Sequence, residues 1–292
     1  MTAIYTKDCL MELNSEIVTT PPRDASTVVL LRDSAQGLQV LMMQRHSASQ
    51  VLGGVHVFPG GKLDDDDMSP LVLKWLKEDN AQLHRLLQEP GLDQQRAAGL
   101  YVAALRELHE EAGILLGSAV ASTPPSEPWH QVVSSLGHQL QATLLTPWSR
   151  WITPKQPSVT NKRFDTRFFL AHAEPQQEGR HDNHEATEIR WLSPDEALRA
   201  YWDRQIELAP PQIMSLAHLR QYTQAEQALA DARQRPPALV EPEAHDIHGE
   251  RMICYPGDPM HSVRTAAFSG PTRLYFRNKR FEPEGGLAAL ML

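Results

Sequence analysis

The segment Arg106-Glu-Leu-His-Glu-Glu-Ala-Gly-Ile114 constrains this 292-residue chain more than any other stretch. In a helix, Glu107, Glu110 and Glu111 stand at positions i, i+3 and i+4, so their three carboxylates project from one face. We therefore predict a helix over about 93–112 that ends at a glycine cap. The opposite face of this helix carries apolar residues that pack it down, namely Tyr101, Leu105, Leu108 and Ala112.

Clustered carboxylates on one face indicate a cation site. Neighbouring carboxylates repel one another by roughly a few tenths of a kcal/mol per exposed pair, and a bound cation would neutralise them. Ligand sets made only of oxygen suit Mg²⁺ or Mn²⁺. The upstream Phe58-Pro-Gly-Gly61 would let backbone groups approach a metal or a phosphate closely. A solvated acidic helix face is the alternative that the spacing alone leaves open.

Gly61 and the segment 106–114 together resemble the Nudix box, whose usual form is G-x5-E-x7-R-E-U-x-E-E-x-G-U. The second half of the pattern matches at every defined position. In the first half, the acidic residue six positions after Gly61 is Asp67 instead of Glu, and the spacer from Asp67 to Arg106 holds 38 residues where the pattern has seven. An interrupted box of this kind resembles the branch that contains the peroxisomal coenzyme A diphosphatases with a long insertion.

The resemblance extends over roughly residues 25 to 220. It implies an α/β (α+β) fold, a Nudix-type α/β/α sandwich with a mixed β-sheet, a helical insertion and a C-terminal extension. We predict an N-terminal segment at 1–24, a Nudix hydrolase domain at 25–235 with its insertion at about 68–95, and the extension at 236–292. Further segments are similar to the same branch, namely 44–45, 54–61, 163–169, 188–194 and 208–212.

The resemblance also implies an activity, the metal-dependent hydrolysis of the diphosphate bond in a nucleoside diphosphate linked to another moiety X. A diphosphate is anionic, so displacement at phosphorus needs charge neutralisation more than covalent catalysis. The leading substrate is coenzyme A or acyl-CoA, which would give 3′,5′-ADP and a phosphopantetheine product. Two alternatives remain, an ADP-ribose, nucleotide-sugar or NADH pyrophosphatase and a non-catalytic nucleotide-sensing module.

By the same resemblance, one to three Mg²⁺ or Mn²⁺ ions would be held by Glu107, Glu110, Glu111 and the Gly60 carbonyl. These ions would also lower the pKa of the attacking water. Arg106 is expected to orient a box carboxylate through a charge-assisted hydrogen bond and not to contact substrate.

The general base is expected to be a glutamate. Glu107 is the first candidate, followed by Glu185 and Glu188 of the later segment HDNHEATE. The residues assigned to substrate binding are Arg45, Phe58, Gly60 and Gly61.

Local patterns predict the remaining elements. The Gly-rich segment 52–61 is predicted to be irregular. Helices are predicted within 70–90, over 126–144, from Ser193-Pro194 onward and from Pro210-Pro211 to about 234. Strands are predicted at 27–32, 39–45, 162–173, 188–192, 251–255 and 272–278.

Two charge clusters have competing interpretations. The run Asp64 to Asp67 could join a metal site, but a solvated loop is the favoured interpretation. Residues 251–280 hold six basic residues against one acidic residue. They could grip substrate phosphates, but a hairpin with solvated side chains is favoured.

Composition limits the partners. A formal net charge of −8 argues against a protein that coats DNA or anionic lipid, so we expect a small-molecule nucleotide partner, with nucleic acid unfavoured and no membrane association. Two distant cysteines, the lack of a signal-like start and the ending Leu290-Met-Leu292, which differs from a peroxisomal tripeptide, together predict a cytoplasmic protein. A homodimer is one candidate assembly, and the sequence leaves the oligomeric state open.

Overall fold

The computed structural model describes residues 14, 16–47, 49, 52–117, 128–135, 140–156, 162–181 and 186–292. The helices are α1 Pro70–Leu73, α2 Asn80–Leu87, α3 Gln94–Ala112, α4 Trp129–Ser135, α5 Pro194–Trp202, α6 Pro210–Leu219, α7 Ala225–Arg233 and α8 Leu287–Leu290. The first nine strands are β1 Arg23–Ser34, β2 Gly37–Arg45, β3 Val55–Val57, β4 Gly60–Lys62, β5 Thr146–Ile152, β6 Phe164–His172, β7 Ala186–Leu192, β8 Glu207–Leu208 and β9 Ala238–Val240. The last strands are β10 Glu243–Ile247, β11 Glu250–Cys254, β12 Arg273–Arg277 and β13 Arg280–Glu282.

Within the described residues, a mixed sheet has the strand order β8-β3-β2-β1-β6-β5-β9, with β4 also paired to β1 and β7 also paired to β2. β1 and β2 form the predicted antiparallel hairpin, closed by the pair Ser34 and Gly37. β1 runs parallel to β6, and β6 runs antiparallel to β5. The central strands β1 and β6 therefore lie between β2 on one side and β5 on the other.

Helices cover both faces of this sheet. Side chains alternate along a strand, so Val28 and Leu30 pack on the face covered by α2, α3 and α4. Val29 and Leu31 pack on the other face, against α5, α6 and α7. The predicted α/β/α sandwich with a mixed sheet is confirmed.

Helix α3 carries the box glutamates and has defined ends. The Asp93 carboxylate accepts hydrogen bonds from the backbone N–H groups of Gln95 and Arg96, as expected of an N-cap. Gly113 has φ +65°, a left-handed conformation that glycine adopts without strain, and its N–H donates to the His109 carbonyl. The predicted span of 93–112 is confirmed to within one residue.

Several predicted elements differ from the structure. Segment 52–61 is not irregular throughout, because β3 pairs with β2 and β4 pairs with β1. The helix predicted over 126–144 covers only α4; residues 136–139 lie outside the described part, and the chain beyond them forms a short 3-10 turn at Ala142–Leu144. The helix predicted over 210–234 is two helices, since the Asp33 carboxylate accepts from the Ala225 N–H at 2.7 Å and caps α7 separately.

Strand β5 was absent from the sequence-based prediction. Its sequence TPWSRWI contains Pro147, which argues against an interior strand. The structure accommodates the proline at an irregularity in the β5–β6 register between Pro147 and Ser149. The strand therefore forms because a bulge removes the need for a proline N–H.

The C-terminal extension forms an antiparallel sheet in the order β10-β11-β12-β13. Its side chains Ile253, Leu274 and Phe281 belong to the same apolar cluster as α5 and α6, so it packs directly on the Nudix-like sandwich. β9, just before it, pairs with β5 in the main sheet. Among the described residues, no helix is long and apolar enough to cross a membrane.

The basic tail is largely neutralised within itself. Arg251 pairs with Asp246, Arg273 pairs with Asp258, Arg277 pairs with Glu250 and Arg280 pairs with Glu282. Three of these four acidic partners lie just outside residues 251–280. The net positive charge of the extension is therefore smaller than the sequence of 251–280 alone indicates. The structure favours a self-paired hairpin over a phosphate clamp.

Candidate functional site

The box glutamates meet the Gly60-Gly61 strand β4 at the edge of the central sheet. The Gly60 N–H donates to Glu111 Oε2 at 2.7 Å, and Arg45 Nη1 lies 3.3 Å from Glu111 Oε1. These contacts bury Glu111 almost completely. We name the charged groups gathered here the box cluster, namely Arg45, Asp67, Arg106, Glu107, Glu110 and Glu111.

Arg106 is the centre of the box cluster. Its Nη1 donates to Glu107 Oε1 and to Glu110 Oε2, each at 2.8 Å, and its Nη2 donates to the Lys62 carbonyl at 3.0 Å. Burial alone would lower the pKa of Arg106, but its hydrogen bond to Asp67 and the surrounding negative charges raise that pKa above its ordinary value. The guanidinium is therefore always charged and orients two of the three box carboxylates.

Asp67 holds Arg106 from the other side. Its two carboxylate oxygens accept from Arg106 Nε at 2.8 Å and from Nη2 at 2.9 Å, and its Oδ2 also accepts from the Asp64 N–H. Asp67 is only 1% exposed. The solvated-loop interpretation of Asp64 to Asp67 is therefore wrong for Asp67, although Asp65 and Asp66 are exposed. This pair brings the two halves of the interrupted box into contact, although 38 residues separate Asp67 from Arg106 in the sequence.

Gly61 lies where a side chain cannot fit. A Cβ at this position would lie 2.3 Å from Glu107 Oε1, well inside van der Waals contact. The carboxylate of Glu107 thus rests directly on the backbone of β4. This close approach explains why the box needs glycine at this position.

A large cavity opens beside the box cluster. Its volume is about 990 Å³, and the box carboxylates Glu107, Glu110 and Glu111 line it together with Gly60 and Gly61. Arg45, Arg106 and Phe58 also line the cavity, and the Phe58 ring is buried edge-on against Phe168 with ring centroids 6.3 Å apart. The structure therefore brings together eight of the ten residues that the sequence suggested, and it places them around one space.

The remaining two suggested residues were candidates for the general base. Glu185 lies outside the described residues. Glu188 is described on β7 but does not line the cavity; its carboxylate lies 3.6 Å from His56 Nε2 and 3.7 Å from Arg190 Nε. Burial and the nearby Arg190 charge lower the pKa of His56 to about 4, so this histidine is neutral at pH 7. Of the two base candidates that the structure describes, Glu107 lines the cavity and Glu188 does not.

The donor chemistry of the cluster fits a hard divalent cation. Its four carboxylates against two guanidinium groups leave a formal charge of −2, and every available donor is an oxygen. In the part of the chain that the structure describes, no group of three or more His, Cys, Asp or Glu side chains is arranged to hold a metal ion. Mg²⁺ does not require one, because it usually keeps several waters and binds through one or two carboxylates plus substrate phosphates.

The other walls of the cavity were not found by sequence reasoning. Trp151 belongs to the unpredicted strand β5, and Ile253 and Tyr255 come from the C-terminal sheet and the residue after it. Gln212 and the prolines at the start of α6 also line the cavity. The segment 208–212 is similar to the family, but Trp151, Ile253 and Tyr255 carry no local motif, so only the packing of the extension on the main sheet could place them at the cavity.

A Gly61→Ala substitution should move the Glu107 carboxylate while leaving the protein folded, so it tests whether activity depends on the position of that carboxylate. The new methyl group would displace the Glu107 carboxylate, which sits at the end of a flexible side chain, so we expect a small change in stability. A misplacement of about 1 Å can cost roughly 100-fold in rate, so kcat should fall by about 10- to 100-fold. The measurement is steady-state kinetics with thermal melting. Gly91→Ala is the matched control, since a Cβ there meets nothing within 4 Å; equal activity losses in both variants would contradict the positioning role.

A family model matches most of the chain. The model described as the NUDT19 Nudix domain matches residues 14–219, which include β1 to β8, helix α3 and the whole box cluster. A solved structure described as a Nudix hydrolase from Alicyclobacillus acidocaldarius is similar with a TM-score of 0.58 and 27% identity, covering 73% of this chain and 97% of that chain.

Curated relatives point to the same branch. An acyl-coenzyme A diphosphatase NUDT19 of Gallus gallus is 29% identical over 229 residues, covering 62% of this chain and 61% of the relative. The protein of the same name from Xenopus laevis is 26% identical over 241 residues, covering 64% of this chain and 61% of the relative. The chain thus spans about three fifths of the length of these relatives.

Proposed function

The chain belongs to the Nudix family, in the group described by the NUDT19 Nudix domain, and from this premise we propose that it is a metal-dependent diphosphatase. Its substrate would be a nucleoside diphosphate linked to another moiety, X. The proposed substrate of this kind is coenzyme A or an acyl-CoA. Hydrolysis would give 3′,5′-ADP and a phosphopantetheine product.

The observation that carries this proposal is the opening of the three box carboxylates into one cavity. At about 990 Å³, the cavity is in the size range of sites for small molecules and cofactors. The lining includes carboxylates and glycine backbone, and it also includes aromatic and aliphatic side chains such as Trp151 and Ile253. This mixed lining suits a ligand with an anionic diphosphate and a less polar arm.

We propose that Mg²⁺ or Mn²⁺ is held by Glu107, Glu110 and Glu111 with the Gly60 carbonyl. Such an ion, when bound, would neutralise diphosphate charge and lower the pKa of water. Arg106 fixes the directions of Glu107 and Glu110 through its two hydrogen bonds at 2.8 Å.

The proton of the attacking water is assigned to Glu107. Its carboxylate lies directly against the backbone of Gly61 and lines the cavity, where a water can reach it. Arg106 Nη1 donates to Glu107 Oε1 at 2.8 Å and so fixes the direction of this carboxylate. Arg45 and the Gly60 N–H hold Glu111 rigidly, so its contribution is to position charge.

The coenzyme A assignment is supported by the names of the curated relatives and by the apolar wall. The wall formed by Trp151, Ile253 and Tyr255 offers an apolar surface on which a pantetheine arm or acyl chain could lie. Most of the affinity for such an arm would come from burying apolar surface.

A turnover screen tests the proposal. Coenzyme A, acetyl-CoA, ADP-ribose, NADH and diadenosine polyphosphates are incubated with Mg²⁺ or Mn²⁺, and products are read by mass. We expect 3′,5′-ADP from the coenzyme A compounds and loss of turnover in EDTA. AMP from ADP-ribose or NADH as the main product would overturn the substrate assignment. No turnover of any compound would overturn the enzymatic proposal in favour of a nucleotide sensor.

Two further expectations accompany this proposal. A cytoplasmic location and a homodimer stay predictions from the sequence. Cell fractionation and light scattering of the purified protein test them directly.

A further inference from the structure

The floor of the cavity is built by alternate residues of β1 and β6. Arg23, Ala25 and Thr27 of β1 all line the cavity, as expected for positions i, i+2 and i+4 of a strand. β6 contributes Phe164, and Lys162 lies two residues before it. Arg23 pairs in register with Phe164, so the three side chains Arg23, Phe164 and Lys162 meet at the same end of the floor.

This end lies away from the carboxylates of Glu107, Glu110 and Glu111, and the paired side chains of Lys62 and Asp64 also line the cavity. Gly60, whose N–H holds Glu111, pairs with Thr27 on β1. Arg23 stands four residues earlier on the same strand, so it lies about 13 Å from the level of Gly60 at the usual strand rise. The cavity therefore has an acidic end at the box cluster and a cationic end at Arg23 and Lys162.

The positive charge of Arg23 is not cancelled by its neighbours. Within the described ranges, the Arg23 guanidinium has no ion-pair partner. The adjacent Asp24 faces the other side of the sheet, where it pairs with Arg96 and Arg167. A phosphate that reached this end would therefore meet an available guanidinium.

We infer that Arg23 and Lys162 form an anion subsite that binds a second phosphate group of the substrate, remote from the diphosphate that is cleaved. This inference rests on the proposed function for the orientation of the ligand. On a coenzyme A compound, the group bound would be the 3′-phosphate of the nucleotide. The partly exposed Phe164 ring, which lines the same end of the cavity, offers a surface on which the adenine can stack.

We assign selectivity for the second phosphate to this subsite and not to the basic residues of the segment 251–280. The tail residues Arg251, Arg273 and Arg277 each have a carboxylate partner within the extension. Arg23 and Lys162 line the cavity itself, where a ligand would lie beside the box cluster. Because Arg23 and Lys162 line the cavity, they are the cations expected to distinguish a 3′-phosphorylated nucleotide.

Binding of two product nucleotides tests the subsite without any bond cleavage. Isothermal titration calorimetry in Mg²⁺ buffer compares 3′,5′-ADP with 5′-AMP, which differ only in the 3′-phosphate. Hydrogen bonds to a charged group are worth enough that the unsubstituted protein should bind 3′,5′-ADP about 10- to 100-fold more tightly. In the double variant Arg23→Ala, Lys162→Gln, the ratio of the two dissociation constants should fall to near one.

Controls make the result decisive. Arg264→Ala removes an exposed arginine of the tail that donates to the Pro259 carbonyl and does not line the cavity, so it should keep the full ratio. Thermal melting verifies that the double variant is folded. A ratio near one in the unsubstituted protein, or a ratio retained in the double variant, would overturn the subsite. Preferential binding of 3′,5′-ADP without turnover of coenzyme A would overturn the proposed function and leave the subsite standing.

Discussion

Replacing Glu110 by Gln is expected to lower kcat for diphosphate hydrolysis by about 100- to 10,000-fold, because a neutral amide is a poor ligand for a hard cation and adds no charge to the site. Glu110 is the most accessible of the three box carboxylates, with 39% of its side chain exposed. The amide keeps the size of the carboxylate and can still accept from Arg106. The partly exposed pair with Arg106 contributes no more than about 1 kcal/mol, so the fold should persist.

Steady-state kinetics and thermal melting of the same preparations measure this effect. Glu226→Gln is the matched control, because Glu226 is exposed on α7, pairs with Arg233 and does not line the cavity. It should retain full activity and the same melting temperature. If Glu110→Gln keeps more than a tenth of the activity, the box carboxylates do not form the proposed metal site.

The same variant separates the catalyst from the sensor. A nucleotide sensor that needs no hydrolysis should keep its ligand response when Glu110 becomes Gln, whereas a catalyst loses turnover. Calorimetric binding of 5′-AMP, measured beside the kinetics, gives the second readout. Loss of turnover with binding retained is the outcome that the proposed function predicts.

The second large effect is expected on the free energy of unfolding when Asp67 is replaced. Asp67→Asn should destabilise the protein by about 3 kcal/mol, because it breaks a buried bidentate pair and leaves the Arg106 guanidinium short of a partner. For a chain of this size, that loss corresponds to a fall in melting temperature of about 5 to 10 °C. Activity should fall as well, since Arg106 would no longer be held between Asp67 and the two glutamates that it orients.

Asp66→Asn is the control for this prediction. Asp66 is exposed in the same 3-10 turn, one residue away, and the same chemical change is made there. Chemical denaturation of both variants gives the difference in the free energy of unfolding. An equal, small change in both variants would mean that the Asp67–Arg106 pair does not hold the interrupted box together.

The catalytic helix could be predicted from the sequence because its signals are local. The i, i+3, i+4 glutamates, the apolar stripe, the Asp93 cap and the Gly113 cap all act within one helix, and the structure confirms the span. The β1–β2 hairpin and β6 were predicted for the same reason, since each strand contains a short apolar run, such as Phe168–Ala171 in β6. The α/β/α architecture followed from the resemblance that those segments carry.

Elements defined by long-range contacts could not be predicted in this way. β5 contains a proline that a strand tolerates only because a bulge against β6 accommodates it. The break between α6 and α7 depends on Asp33, which is nearly two hundred residues away in sequence and caps Ala225. The role of Asp67 depends on Arg106, across the whole insertion.

The sequence by itself determined the chemistry of this protein, namely three carboxylates on one helix face, a glycine pair to receive them and an arginine beside them. Spacing along a helix settles the positions of the carboxylates and the arginine, since rise and twist per residue are constant, and the adjacent glycines are a local motif. The tertiary structure decided what surrounds that chemistry. It closed the box through Asp67, paired the tail arginines among themselves, and placed Arg23 and the C-terminal sheet around the cavity. These outcomes depend on which strands pair and which faces pack, and such choices are fixed by contacts between residues far apart in the chain.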